Sequence, residues 1–404
     1  MEAITITSPL EGDYLAIFKW HIVKRTQMIL ARVAQAIPIL PANILKQALH
    51  ILDYSLELPE AWPVTRELLL TMAPKMEQAG HRDGWMPYLE QGIRQSRQLG
   101  DTVAESEFQL QLGILYQLRA KYEEARSHLE TSAKGFERLK EPHNQARVLN
   151  RLAYVARLQR HFEEAISFVE TAQRLLDTDD GEFAYSSFVL GLVALDKRNW
   201  PEAVRYCQQA FEPWEQADNQ RMMGRSLMCL GVALERMKQY PAAIRASEQA
   251  IGLFEATQDL VYKAAVQMNL GNVYNALEQP DRALKLFLPA KKLFLRVQDH
   301  YSLAMVAHNM GIAYRKLQQW DEAQAAYALS IQHKQEMGNI VALVNSMDGL
   351  GLVYLEQSKL MEAKATFEDA LTELAKIQGE PGYEQRLAMI KAHLDDVNKR
   401  ISGE

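Results

Sequence analysis

In segments such as LGVALERMKQYPAA (230–243) and MGIAYRKLQQWDEA (310–323), apolar residues recur at the three- and four-residue spacing of one helix face, stop, and resume within a few positions. The pattern predicts two helices joined by a tight turn, a helical hairpin. Small residues set its period: Gly113, Ala153, Gly191, Gly231, Gly271, Gly311 and Gly351 follow one another at intervals of 40, 38, 40, 40, 40 and 40. Twelve positions after each anchor stands an alanine (Ala125, Ala165, Ala203, Ala243, Ala283, Ala323, Ala363). With alanine at roughly one position in ten, seven such placements have a chance probability on the order of ten to the minus seven. Tandem hairpins that bury their faces against one another follow from this.

Each spacing has a physical cause. Helices approach closely where side chains are small, so the anchor is expected to face the alanine across the hairpin. Tyr116, Tyr274, Tyr314 and Tyr354, one turn past their anchors, are expected to fill the space left by the small pair. The second helices open with YEEA, FEEA, WPEA, YPAA, PDRA, WDEA and LMEA. Proline in a first turn gives up no needed hydrogen bond, and carboxylates there favour the helix dipole. Asp101, Glu141, Asp179, Asn219, Asp259, Asp299 and Asn339, twelve before each anchor, are expected N-caps, Glu141 being the poor one.

The run of leucine or methionine, glycine, two residues, tyrosine, then an aromatic, two residues and alanine resembles the tetratricopeptide repeat. LGNVYNALEQPDRALKLF and MGIAYRKLQQWDEAQAAY carry it best, and the resemblance covers residues 100 to 372. The usual unit is about 34 residues, so this chain is similar to the longer-helix variety of the family. The resemblance implies an all-α fold, a right-handed α-solenoid whose first helices line a concave face that takes a protein or peptide ligand. Ala153, Ala156, Ala194 and the 38-residue interval depart from the pattern, and irregular packing is expected there.

Around seven repeats at 99–379 the expected domains are an N-terminal helical cap or small module at 1–59, a degenerate repeat at 60–98, and a capping helix at 380–404. The chain has 404 residues, 48% of them hydrophobic, and a net charge of −6. It contains no uncharged apolar stretch of spanning length, and its first residues are acidic where a signal peptide is basic, so no membrane insertion and a cytoplasmic location are expected. The acidic balance argues against nucleic acid as the partner. Cys207 and Cys229 are expected to be reduced thiols. No phosphate loop, nucleophile elbow or zinc motif occurs, and DTDDGE (177–182) places Gly181 and Phe188 where a calcium loop needs ligands. No catalytic residue, metal or cofactor is expected.

Function is therefore expected on the first helices, at positions three before, one after and four after each anchor, which share a helix face. The candidate groove runs from Tyr154, Tyr185, Phe188 and Leu192 to Asn269, Asn272, Asn275, His308, Asn309, Arg315 and Lys316. Its apolar end suits an anchor residue, and its amides suit the backbone of an extended chain. The reading this favours is a non-enzymatic scaffold or adaptor for a protein or peptide segment. The alternatives are a peptide-responsive bacterial regulator, similar in layout to the quorum-sensing phosphatases and transcription factors, and a sensor arm related to those of signalling ATPases.

Overall fold

The computed structural model describes residues 13–36, 40–79, 82–178, 180–380 and 382–403, the side chains of residues 82 and 83 excepted. The acidic first residues, most of the turn at 37–41, the Asp179 cap and Pro381 lie outside them. Nineteen α-helices, one short 3-10 turn (Pro59–Ala61) and no strand are found among the described residues.

The N-terminal helices are α1 (Tyr14–Gln35), α2 (Ala42–Ser55), α3 (Trp62–Gln78) and α4 (Arg82–Leu99). Seven hairpins follow: α5 (Thr102–Leu118) with α6 (Tyr122–Arg138), α7 (Pro142–Leu158) with α8 (Phe162–Gln173), and α9 (Gly181–Asp196) with α10 (Trp200–Gln216). Then come α11 (Gln220–Arg236) with α12 (Tyr240–Ala256), α13 (Leu260–Ala276) with α14 (Pro280–Arg296), α15 (His300–Lys316) with α16 (Trp320–Glu336), and α17 (Ile340–Glu356) with α18 (Leu360–Ala375). The last helix is α19 (Tyr383–Ser402). They gather into two units, Met1–Ala233 with Leu253–Asp259, and Leu234–Gly252 with Leu260–Glu404.

In the first unit a single apolar core runs from α1 to α5, through Leu52, Leu68, Met72, Trp85, Leu89 and Phe108. Trp62 ties α3 to α5: its ring meets Phe108 edge-on and its Nε1 donates to Asp101, the cap of α5, at 2.9 Å. In the second unit one apolar cluster is built on Phe287, Phe294 and Met310 and another on Phe367, Leu374 and Ile390 of α19. In both units successive first helices touch, α5 with α7, α7 with α9, α13 with α15 and α15 with α17, while successive second helices have no contact of that extent. The first helices are thus the inner ones.

The capping carboxylates and amides act as their chemistry requires. Asp101, Asp299 and Asn339 accept from the backbone N–H three residues on. Glu141 caps without a side-chain bond, and α9 is capped by Asp180, which accepts from Glu182. Every hairpin turn carries a residue in the left-handed region, among them Ala120, Arg160, Arg198, Glu278, Gln318 and Ser358. Glycine would take that conformation at less steric cost.

Two expectations are corrected. The anchor glycine is covered by the residue sixteen positions on rather than principally by the alanine at twelve. A Cβ on Gly271 would fall 2.3 Å from the Phe287 ring, on Gly311 2.8 Å from Tyr327, and on Gly351 2.5 Å from Phe367. The alanines, fully buried, let the helices close far enough for the ring to press against the glycine. Cys207 and Cys229, expected as thiols, are joined in a disulfide with Cα atoms 6.4 Å apart, because α10 and α11 present them to one another.

Candidate functional site

The residue three before the anchor points along the stack, at the next first helix. Asn150 Nδ2 donates to the Glu182 carbonyl at 2.8 Å and its Oδ1 accepts from Ser186 at 2.7 Å. Asp348 meets His393 of α19 at 2.7 Å. This column couples repeat to repeat, so Phe188, 1% exposed, is core. The column one after the anchor, with Tyr154, Asn272, Ile312 and Leu352, stays half-exposed on the inner face.

In the first unit the apolar candidates form one cluster. Tyr185 meets Phe188, which meets Trp214, each with centroids 5.8 Å apart, and Leu192 packs with them. Tyr154 lies at the cluster's edge, under the Arg157 guanidinium that pairs with Asp196. Arg151 sits 3.6 Å above the Tyr185 ring and Arg225 lies 5.6 Å from it, an arrangement that lets cations rest on aromatic faces. Arg221 pairs with Asp259 at 2.7 Å and with Glu77 at 3.0 Å, and Gln78 donates to the Thr257 carbonyl at 2.6 Å. The end of α3 is thereby fastened to α11 and the end of α12. These charges were not among the candidates. Arg225 alone of them falls in the column six before the anchor, which keeps the repeat period with Glu107, Arg147 and Tyr185.

In the second unit the polar candidates converge on α13 and α15. Asn275 Nδ2 donates to the Asn309 carbonyl at 3.1 Å, and Lys316 Nζ donates to the Asn275 carbonyl at 2.7 Å and pairs with Glu278 at 2.8 Å. Asn275 Oδ1 and Asn309 Nδ2, an acceptor and a donor, are buried without a partner among the described residues, though the two residues keep 7% and 8% exposure. Asn269 and Asn272 are half-buried, and Arg315 pairs with Glu356 at 3.2 Å. His308 turns inward instead: its Nδ1 lies 3.0 Å from Ser346 Oγ, which also accepts from the buried Lys334 Nζ at 2.7 Å. Burial, with the Lys334 cation nearby, pushes the His308 imidazole down to about 3, and burial pushes the Lys334 amine down to about 8. Among the described residues no group of three or more histidine, cysteine or carboxylate side chains is placed to hold a metal ion, and no helix is long and apolar enough to cross a membrane.

The tetratricopeptide repeat family matches residues 105–178 and 262–336. No curated protein matches the chain. Among solved structures, an aspartyl phosphate phosphatase F from Bacillus subtilis is similar over 93% of this chain and 98% of its own, at TM-score 0.54 and 14% identity. A signal transduction ATPase with a tetratricopeptide repeat sensor from Pyrococcus horikoshii is similar over 96% of this chain and 68% of its own, at 0.56 and 12%. A Rap protein complexed with Competence and Sporulation Factor covers 86% of this chain and 99% of its own, at 0.53 and 16%. At these identities the likeness is one of fold. With the period of 40 and the stacked hairpins, it makes the matched segments, 105–178 and 262–336, tetratricopeptide repeats within an all-α repeat fold.

Proposed function

We propose that the protein is a non-enzymatic adaptor that holds an extended peptide segment of a partner on the inner face of α13 and α15. The observation that carries this is the unpartnered pair Asn275 Oδ1 and Asn309 Nδ2. A buried polar group without a partner costs about 1–3 kcal/mol, and an extended peptide offers both complements, an N–H and a C=O, whatever its side chains. Binding through these atoms requires rotation about the last side-chain torsion, which is broad for an amide, and at Asn275 that rotation exchanges the bond to the Asn309 carbonyl for one to the ligand. Asn269 and Asn272 extend the amide row, and Ile312 and Leu352 offer apolar contact beside it. Arg315, held by Glu356 on the rim, can exchange that carboxylate for one on the ligand.

This site is narrower than the candidate set, because Phe188 and His308 are used by the fold. The similar structures support the reading: one is a Rap protein complexed with Competence and Sporulation Factor, another the quorum sensor NprR from B. thuringiensis. A cytoplasmic regulator that senses a peptide accords with both. In it residues 1–59 and 380–404 serve as caps over the apolar ends of the stack, and 60–98 as a degenerate repeat.

The test is affinity selection from a synthetic peptide pool, read by mass spectrometry, with wild type, Asn272→Ala, Arg315→Glu and the outer-face control Asp369→Ala. The reading predicts a set of peptides that wild type and the control retain and the two inner-face variants lose. Retention by the inner-face variants with loss in the control would move the ligand to the outer face.

A further inference from the structure

The second helix of the fifth repeat is unlike the other six. At one outward position the others carry Glu130, Glu170, Gln208, Glu248, Ala328 and Glu368, where α14 carries Leu288. Seven residues on stand Glu137, Asp177 (past the end of α8), Glu215, Glu255, Gln335 and Ala375, where α14 carries Leu295. Both leucines stand in solvent, 50% and 63% exposed. Lys285, Lys292 and Arg296 fall three before, four after and eight after Leu288, so they share its face, and all three are exposed. None of them has an ion pair or hydrogen bond among the described residues. α14 holds five cations against one carboxylate, in a chain of net charge −6.

The fold does not require this face. α14 meets its core through Ala283, Phe287, Ala290 and Phe294, all buried and turned away from the two leucines, with Leu284 buried at the border between the two faces. Two leucines spaced by seven residues stand about 10 Å apart along the axis, two helical turns. That is the spacing at which one helix presents paired apolar anchors to another, and cations beside them select a partner bearing carboxylates.

We infer that the outward face of α14 is a docking surface for an acidic amphipathic helix of a partner protein, with apolar residues seven apart seated on Leu288 and Leu295 and carboxylates meeting Lys285, Lys292 and Arg296. A helix fits better than a lipid surface. Membrane-surface helices bury a broad apolar face, whereas this one is a narrow seam because the larger apolar stripe of α14 is already spent in the core. The surface is separate from the inner-face amides, so the protein has two binding faces.

The probe is a synthetic helical peptide with leucines seven apart and glutamates flanking them, its binding followed by titration calorimetry. Lys285→Glu/Lys292→Glu and Leu288→Ser/Leu295→Ser, all at exposed positions, are compared with wild type, with melting temperatures measured to show that each variant folds. Wild type is expected to bind the peptide, more weakly as salt rises, and each double variant to lose about tenfold or more in affinity. Asn309→Ala is expected to bind it like wild type, which separates this face from the inner one. Equal binding by the leucine variant would reduce the effect to non-specific charge attraction and overturn the inference. So would failure of wild type to bind the peptide while binding phosphatidylserine vesicles.

Discussion

Asn275 Nδ2 reaches the Asn309 carbonyl oxygen at 3.1 Å, so two residues expected to hold a ligand also hold each other across α13 and α15. The bond is one-sided. Asn275→Ala removes its donor and is expected to cost about 1 kcal/mol in thermal or denaturant unfolding. Asn309→Ala keeps the accepting carbonyl and removes an amide nitrogen that has no partner, so it is expected to cost less. The reverse order would mean that the Asn309 amide is satisfied in the folded protein.

Gly311 lies under the Tyr327 ring, and a Cβ there would fall 2.8 Å from it. Gly311→Ala is expected to destabilise the fold by about 1–3 kcal/mol through overpacking, as is Ala323→Leu, which enlarges a fully buried side chain beside the same ring. An unchanged unfolding midpoint in either variant would contradict the assigned packing.

Acid and alkaline behaviour both follow from the interior cluster around Ser346. The His308 imidazole titrates at about 3 in the fold against about 6.5 when unfolded. The unfolded chain therefore binds the extra proton first, and stability falls as pH drops from about 6.5 towards 3. Lys334 titrates at about 8 in the fold against an ordinary 10.5, so stability rises with pH across that interval. Asp348 works in the opposite sense to His308: burial, outweighing its bond to His393, raises its carboxyl, and some stability is lost as pH rises past the ordinary carboxylate range. Lys334→Met, which removes a buried cation that has no carboxylate partner among the described residues, is expected to raise the melting temperature at neutral pH. A lower melting temperature would show that the Lys334 bond to Ser346 outweighs the cost of burial.

Cys207 and Cys229 predict a chemical result. Unfolding the oxidised protein in the presence of an alkylating reagent is expected to leave both sulfurs unmodified until a reductant is added. Two alkylated cysteines without reductant would restore the expectation of free thiols.

Most of the architecture was legible because it repeats. Seven anchors, seven alanines and the capping residues each report one local requirement, and the period multiplies the signal. The aromatic cover over the glycines was legible in principle at sixteen residues past the anchor, but Leu129, Val169, Cys207 and Ser247 hold that position in the first four repeats and mask it. The left-handed turns were not legible, since arginine, glutamate and glutamine at Arg160, Glu278 and Gln318 give no sign of a positive φ. At the candidate site the asparagine row could be read from its spacing. The inward turn of His308 could not, because it depends on Ser346 and Lys334 arriving from α17 and α16. Helical spacing assigns a face, and the neighbouring repeat decides whether that face is open.

The most direct measurement of the central claim is the dissociation constant of one selected peptide for wild type and for Asn309→Ala, alongside each protein's melting temperature. An amide that holds the peptide backbone predicts a loss of about tenfold in affinity with little change in stability. Equal affinity for the two proteins, with the peptide still bound, would contradict the proposed role of the Asn275 and Asn309 pair.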